Sequence, residues 1–334
     1  MDDIKNLPAK HSLGKLVELE GGSPPSSIEL KRRIANRHLA SRRDAELLSE
    51  IQALVEDTVV AIDAPKPEGR ILVVVGEPGA GKTKSIDHAL RKVPGLFDGP
   101  LLCVEAPSPC TLKQLGRNIL LQLGYPLRRD LREHITWELV RAQLKSTATR
   151  IVWIDEMHHA VTKPRVGELE KVSETLKNVV QQRDWPVSLI LSGRESLSYF
   201  IGQDRQIERR SRTIRFEPMG WPRDSALIMR MVEVVVESHA GMKAEYLRHE
   251  SEFAGRLCHA AEGCYGTILA ITRQAIYTAH ARGDTDRRVL ISDFASAYAA
   301  ERGCSAIENV FLVEKWHEVV PANSRMRNLS TEGK

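Results

Sequence analysis

The chain has 334 residues, of which 42% are hydrophobic and 28% charged, with a formal net charge of +4. This length can bury one sizeable core and a smaller second one, and the small net charge excludes a uniformly basic protein. No apolar run approaches the roughly 20 residues that cross a bilayer, and the five cysteines include no C-x-x-C pair. We therefore expect a cytoplasmic protein with reduced thiols and no membrane partner.

The first fifty residues are predicted to form an N-terminal arm (1–50) that carries a basic helix. A breaker-rich segment, EGGSPPSS (20–27), precedes a basic cluster, and a helical pattern then continues to about Val60. The cluster is a candidate contact for DNA or a partner protein, and a solvated surface explains it equally well. Its members are Lys31, Arg32, Arg33, Arg37, Arg42 and Arg43.

Five short apolar runs predict buried strands between residues 71 and 217. Amphipathic helical segments separate most of them, a pattern typical of a parallel sheet with helices on both faces. We predict an α/β fold, with a five-stranded parallel sheet in a domain at 51–219. The runs are ILVVV (71–75), LLCVE (101–105), IVWID (151–155), VSLILS (187–192) and TIRFE (213–217).

The pattern beyond residue 219 is helical and indicates a smaller second domain. We predict a helical lid domain at 220–303, because four amphipathic segments follow one another there. The remaining residues, 304–334, contain Phe311 and Trp316 but end in a polar stretch. We interpret them as a C-terminal arm.

The stretch GEPGAGKT (76–83) fits the phosphate-loop pattern G-x-x-x-x-G-K-[ST], between a predicted strand and a predicted helix. Backbone N–H groups of such a loop point at phosphate oxygens. Lys82 is predicted to neutralise the β- and γ-phosphates of ATP, and the Thr83 hydroxyl to ligate Mg²⁺. The predicted nucleotide contacts are Gly76, Glu77, Pro78, Gly79, Ala80, Gly81, Lys82, Thr83, Lys84 and Asp155.

The run at 151–155 delivers Asp155 and Glu156 at the end of a strand, where ligands of parallel sheets bind. We predict that Asp155 holds Mg²⁺ and that Glu156 activates the attacking water. A glutamate at this place favours hydrolysis over phosphoryl transfer to a metabolite, and no N-K-x-D guanine motif is present. His158 and His159 lack a third ligand at suitable spacing, so we interpret them as a polar helix start.

Ser192 ends the fourth predicted strand, which we place between the phosphate-loop strand and the Asp155 strand. A polar side chain there can touch the γ-phosphate or the lytic water, and a plain strand-terminating serine is nearly as good an interpretation. The basic segment DRQIERRSR (204–212) also has two interpretations. It is a solvated loop, or one arginine reaches the nucleotide of a neighbouring subunit in an oligomer.

Together these elements resemble an AAA+ ATPase. The stretches PCTLKQLGRNILLQLGYPL (109–127), DRQIERR (204–210) and AEGCYGTILAITRQAI (261–276) are similar to the TniB/TnsC type, the ATP-dependent target-selection regulators of transposons. The resemblance implies that Arg210, or its neighbour Arg209, is the finger arginine, which is the arginine that reaches the nucleotide of a neighbouring subunit. Ser211 departs from the aromatic residue expected there, and no arginine follows Gly266-Thr267 in the lid.

The resemblance further implies a homo-oligomer, as a hexameric ring, a heptamer or a helical filament, that assembles with ATP around duplex DNA. It would link a target selector to a transposase, and hydrolysis would drive disassembly. Sequence-independent phosphate contacts are expected from Lys113, Arg128, Arg129 and Arg132, for which a solvated basic face is an equal alternative. The alternative function is a loader or signalling switch of the same fold, acting on a protein partner with DNA incidental.

Overall fold

The structure is a computed structural model that describes residues 25–35, 37–39, 41–162, 167–250, 252–283 and 285–321. These residues form two compact units. One is Ala40–Pro218, and the other combines the described parts of Met1–Leu39 and Met219–Lys334. Most of the linker predicted at 20–27, and residues 1–24 and 322–334 of the predicted arms, lie outside the described residues.

The described part of the chain contains thirteen α-helices. None of the described helices combines the length and the apolar character needed to cross a membrane. In chain order they are α1 (Pro25–Ala35), α2 (Arg42–Ile62), α3 (Lys82–Arg91), α4 (Leu112–Gln122), α5 (Glu133–Ser146), α6 (Glu168–Val180), α7 (Glu195–Gln203), α8 (Arg205–Glu208), α9 (Ser225–Glu233), α10 (Glu245–Arg248), α11 (Phe253–Ala260), α12 (Tyr265–Arg282) and α13 (Ile291–Arg302).

The unit Ala40–Pro218 is built on one five-stranded sheet with the order β2-β3-β4-β1-β5, in which all neighbours are parallel. The predicted fold class is confirmed. β4 lies between the phosphate-loop strand β1 and the strand β3 that ends at Asp155, as predicted. The strands are β1 (Ile71–Gly76), β2 (Leu101–Glu105), β3 (Ile151–Asp155), β4 (Ser188–Gly193) and β5 (Ser211–Phe216).

Helices cover both faces of this sheet because side chains alternate along each strand. Val73 and Val75 join the core beneath α4, α5, α6 and α7. Leu72 and Val74 face the other way, against α2 and α3. Burial of each side chain of this size stabilises the folded protein by about 1.5–3 kcal/mol. Helix α2 runs without a break through the domain boundary predicted at residue 50, and Leu47 packs in the sheet core.

The second unit is helical, as predicted, and has its own apolar core. Residues from the predicted C-terminal arm belong to this core, because Val310, Phe311 and Trp316 are all buried. The Arg256 guanidinium donates to the carbonyl oxygen of Val310 at 2.7 Å, and the Trp316 indole donates to Glu252 at 2.7 Å. The segment through residue 321 is therefore packed onto the helices rather than extended away from them.

Part of the N-terminal basic cluster has a structural role in the same unit. Leu30 and Ile34 of α1 are buried in the helical core. Arg33 donates to the carbonyl oxygen of Ala240 at 2.8 Å, and Arg37 donates to that of Ser238 at 2.9 Å. These carbonyls end a helical segment, where cations are favoured by the negative end of the helix dipole.

Candidate nucleotide-binding site

The phosphate loop connects the carboxyl end of β1 to the first turn of α3. A Cβ atom on Gly76 would lie 2.8 Å from the Cβ of Phe216, so a side chain does not fit there. Gly79 and Gly81 have φ values of +80° and +91°, which favour glycine. Pro78 is exposed and Ala80 is buried. The loop thus brings the N-terminus of α3 to the edge of the sheet, a favourable place for an anion.

Lys82 is the first residue of α3, and its side chain curls back over the loop. Its Nζ donates to the carbonyl oxygens of Gly76 at 2.7 Å and Glu77 at 3.1 Å. Burial lowers the pKa of this amine, and the carboxylates of Glu156 and Asp155 oppose that shift. The ammonium group therefore lies over the phosphate loop, and phosphate oxygens of a nucleotide can replace its two backbone acceptors. Lys84, two residues further along α3, is exposed.

Asp155 is held at the end of β3 by three donors. The Thr83 hydroxyl donates to Oδ2 at 2.7 Å, while the Ser192 hydroxyl and the Glu156 N–H donate to Oδ1 at 2.6 and 2.9 Å. A hydroxyl and a carboxylate oxygen side by side are the hard ligands that Mg²⁺ prefers. Thr83 and Asp155 therefore fit the predicted metal, and the structure brings together two residues that are far apart in sequence.

Ser192 lies near the end of the strand between β1 and β3. Its side chain is fully buried, donates to Asp155 and accepts a hydrogen bond from the indole N–H of Trp153 at 2.9 Å. A fully buried hydroxyl with both partners inside the protein does not face a phosphate. The geometry makes Ser192 a positioning residue for the Asp155 carboxylate, with Trp153 fixing the orientation of its hydroxyl.

Replacing Ser192 with alanine is expected to lower the free energy of unfolding by about 1–3 kcal/mol, because the Trp153 N–H loses its acceptor and Asp155 loses one donor. Chemical denaturation measures this loss. The control is Ser196→Ala, since that half-exposed hydroxyl makes one contact of 3.3 Å with Thr162. We expect the control to stay within about 0.5 kcal/mol of the parent protein. Equal losses in the two variants would contradict the positioning role.

Glu156 follows Asp155 in a left-handed conformation, with φ +54°, which is uncommon for a residue with a side chain. Its Oε2 lies 3.1 Å from Nδ1 of His158 and 3.9 Å from Nε2 of His159. His158 is buried, and burial together with the charges of His159, Arg194 and Lys82 lowers its pKa to about 4. The ring is therefore neutral near pH 7. His158 lies in the short 3₁₀ helix Met157–Ala160, with its side chain buried.

Two features near Glu156 had little signal in the sequence. A Cβ on Gly193 would lie 3.0 Å from the backbone nitrogen of His158, so the glycine lets β4 approach the His158 turn. Arg194 is exposed at the start of α7, and its positive charge acts on both Lys82 and His158. The edge of the sheet that carries the phosphate loop thus has a second cation, Arg194, which the sequence analysis did not identify.

The two candidate finger arginines differ in how they are held. Arg210 forms an ion pair with Glu68 and is mostly buried, and its backbone carbonyl accepts the Ile71 N–H. Arg209 is exposed, and among the residues that the structure describes it has no side-chain partner. Both line a cavity of about 280 Å³ beside the first residues of β1 and β5, opposite the strand ends that carry the loop.

The predicted DNA contacts lie in and beside the loop between α4 and α5. Lys113 is ion-paired with Asp130 at 2.7 Å, and Arg117 pairs with the same carboxylate at 3.1 Å. Within the described chain, the side chains of Arg128, Arg129 and Arg132 have no hydrogen-bond or ion-pair partner. Asp130 therefore neutralises part of the charge that Lys113 brings, while the three arginines stay available.

Comparisons with known proteins agree with this geometry. Residues 66–199 match a family model described as an AAA domain. No curated protein matches the sequence significantly. The Aeropyrum pernix ORC1 protein in complex with DNA has a similar structure (TM-score 0.56, 17% identity), with an alignment covering 80% of this chain and 67% of that one.

Two further structures are similar to the chain. The Aeropyrum pernix ORC2 protein in its ADPNP–ADP complexes gives a TM-score of 0.58 at 13% identity, covering 84% of this chain and 76% of that one. Drosophila ORC bound to DNA gives 0.53 at 15% identity, covering 93% and 74%. At such identities the likeness concerns the fold, and the closer resemblance to TniB/TnsC stays a prediction. The chain therefore has the AAA+ P-loop fold, with an AAA domain over residues 66–199.

Proposed function

We propose that the chain is a Mg²⁺-dependent ATPase that assembles with ATP on duplex DNA and regulates transposition by linking a target selector to a transposase. One observation carries the ATPase assignment. Thr83 and Asp155, from the loop and from β3, are hydrogen-bonded to each other, and Glu156 follows at once. One edge of the sheet thus carries the phosphate loop, two oxygen ligands suited to Mg²⁺, and a carboxylate that can activate water.

Each residue has a defined task in this proposal. Loop N–H groups and Lys82 bind the phosphates, with Lys82 exchanging the carbonyls of Gly76 and Glu77 for phosphate oxygens. Thr83 and Asp155 hold Mg²⁺, which shields phosphate charge when bound. Glu156 accepts a proton from the attacking water. Ser192 keeps the Asp155 carboxylate in place.

The finger is assigned to Arg209 in this proposal, one position before the residue that the resemblance favours. Arg210 would have to leave Glu68 before it could reach another subunit, whereas the exposed Arg209 is free of that cost. A guanidinium supplied by a neighbour stabilises charge in the transition state. Each active site would then be completed in trans, and ATP binding would favour assembly.

We assign the DNA surface to the α4–α5 loop because the side chains of its arginines have no partner in the described chain. Contacts from such side chains would go to phosphates, would read no sequence and would weaken with salt. An open groove of about 610 Å³ lined by Tyr125, Leu127 and Ile135 lies beside Arg128 and Arg129. This apolar lining favours the second candidate function, a switch that acts on a protein partner.

Charge reversal separates the two functions. With ATP and duplex DNA the parent protein is expected to form ordered oligomers, seen by light scattering and electron microscopy. The Arg128→Glu/Arg129→Glu variant is expected to lose at least about 100-fold in DNA affinity, since four units of charge change at phosphate contacts. The matched control is Lys92→Glu/Arg183→Glu, which changes the same charge at two exposed positions. Lys82→Ala serves as the variant without nucleotide.

The outcomes are distinct. Monomers alone in the presence of both ligands would contradict assembly. Equal DNA affinity in the two charge-reversal variants would contradict the DNA surface and favour the switch that acts on a protein. DNA-stimulated hydrolysis is the second measurement, and we expect it to disappear in the loop variant while the control keeps it.

A further inference from the structure

Three side chains with metal-ligating atoms converge directly after β3. Within the described residues, Glu156, His158 and His159 form the one group of three such residues whose ligand atoms all lie within 4.8 Å of one another. The sequence pattern assigns Glu156 to the attacking water and leaves the two histidines without a third ligand. The left-handed backbone at Glu156 turns its carboxylate back toward both rings.

The distances fit a tetrahedral ion. Ligands bound to Zn²⁺ at about 2.0–2.1 Å lie roughly 3.3–3.4 Å from one another. The carboxylate oxygen of Glu156 is 3.1 Å from Nδ1 of His158 and 3.9 Å from Nε2 of His159. Small side-chain rotations that shift these atoms by a few tenths of an ångström bring both distances to the ligand-to-ligand spacing of a Zn²⁺ site. A fourth position is left for water.

A second observation points to a ligand. Nδ1 of His158 is buried and has no hydrogen-bond partner of acceptable geometry in the described chain. A buried polar atom without a partner costs about 1–3 kcal/mol, so a ligand that satisfies it is favoured. Oε2 of Glu156 lies 3.1 Å from this nitrogen without forming a hydrogen bond to it of acceptable geometry.

We propose that Glu156, His158 and His159 form a binding site for a transition metal ion of the Zn²⁺ class, and that an ion bound there withdraws Glu156 from hydrolysis. Two imidazole nitrogens and one carboxylate select Zn²⁺, Ni²⁺ or Co²⁺ over Mg²⁺. The site is separate from Thr83 and Asp155, which keep the hard oxygen ligands. Coordination lowers the basicity of the Glu156 carboxylate and holds it against the two rings, so the ion acts as an inhibitor.

Electrostatics set the conditions of binding. The positive charges of Lys82 and Arg194 act on the His158 ring, and they oppose a further cation. Nucleotide phosphates on Lys82 would offset that charge. We therefore expect tighter zinc binding with ADP bound than in its absence. The inhibitory half of the proposal depends on the proposed function, whereas the metal site does not.

The decisive measurement is zinc binding itself. Equilibrium dialysis against Zn²⁺, with excess Mg²⁺ and ADP, is done in a Cys103→Ser background because that exposed thiol is a competing ligand. We expect one ion per chain, and at least about a tenfold weaker affinity in His159→Ala. The control His134→Ala removes an exposed histidine elsewhere and should bind like the parent. Equal affinity in all three proteins would overturn the site.

Hydrolysis tests the second half. With saturating Mg-ATP, the rate of the parent relative to its own zinc-free rate is expected to fall at least about tenfold and to recover with EDTA. His159→Ala, compared with its own zinc-free rate, should be insensitive. Zinc bound by the parent without any change in its rate would overturn the inhibitory role. A chain with no ATPase activity that still binds zinc through His159 would instead point to failure of the proposed function.

Discussion

Glu156→Gln is expected to bind ATP as tightly as the parent protein and to hydrolyse it about 10²–10⁴-fold more slowly. Glutamine keeps the size of the side chain and removes the group that accepts a proton from water, and general bases contribute factors of this order. Binding should be spared because the contacts proposed for the phosphates, from Lys82 and the loop N–H groups, and for Mg²⁺, from Thr83, do not involve Glu156. Fluorescent nucleotide titration and steady-state phosphate release measure the two quantities separately.

The same variant should also stay assembled. If hydrolysis is the release signal, oligomers formed by Glu156→Gln with ATP and DNA should persist after excess competitor DNA is added, while the parent oligomers dissociate. Glu195→Gln is the matched control, because it makes the same change at an exposed position on a neighbouring helix. Rapid disassembly of Glu156→Gln, or undiminished phosphate release, would show that another residue activates the water.

The sheet could be predicted because its signal is local. Each strand is a short apolar run, and runs such as IVWID stay apolar on both faces since helices cover both sides. The place of β4 between β1 and β3 was also predicted, and the structure confirms it. Phosphate-loop spacing is equally local, because eight consecutive residues define the turn and the helix start.

The side-chain partners could not be predicted, because they depend on which residues the fold brings together. Nothing in a one-dimensional pattern says that Ser192 is buried between Trp153 and Asp155. Likewise, the pairing of Arg210 with Glu68 joins two residues that are more than a hundred positions apart. A serine at a strand end looks the same in sequence whether it faces a phosphate or supports the residue that does.

The packing of residues 304–321 shows a second reason why part of the fold could not be predicted. Residues 304–334 end in a polar stretch, and that ending indicates an arm. Yet Phe311 and Trp316 are both buried, and Arg256 donates to two carbonyl oxygens of this stretch, those of Val310 and Val313. A few large side chains combined with satisfied backbone groups are enough to hold an irregular segment onto a helical core.

Mixing two inactive variants is expected to restore hydrolysis if active sites are shared between subunits. Arg209→Ala should lower the DNA-stimulated rate about 10³-fold or more, because the guanidinium that stabilises transition-state charge is lost. Glu156→Gln is inactive for a different reason. In a mixed oligomer, an Arg209→Ala subunit holds the nucleotide and an intact Glu156, and its Glu156→Gln neighbour supplies Arg209.

The size of the recovery can be stated in advance. In a random equal mixture, about one interface in four pairs an intact Glu156 with an intact Arg209, so about a quarter of the parent rate should return. Pairing Glu156→Gln with Lys82→Ala is the control, because a subunit without Lys82 cannot hold the nucleotide at that same interface. It should restore nothing.

Arg210→Ala distinguishes the two arginines in the same assay. Because Arg210 is paired with Glu68 within its own subunit, its loss should reduce the free energy of unfolding, while the variant keeps DNA-stimulated hydrolysis by itself and gains nothing from mixing with Glu156→Gln. If Arg210→Ala regains activity on mixing with Glu156→Gln and Arg209→Ala does not, the finger is Arg210. The ion pair between Arg210 and Glu68 must then open during assembly. If neither complements, the active site is complete within one subunit, and the bound ATP must drive assembly through some route other than a shared catalytic centre.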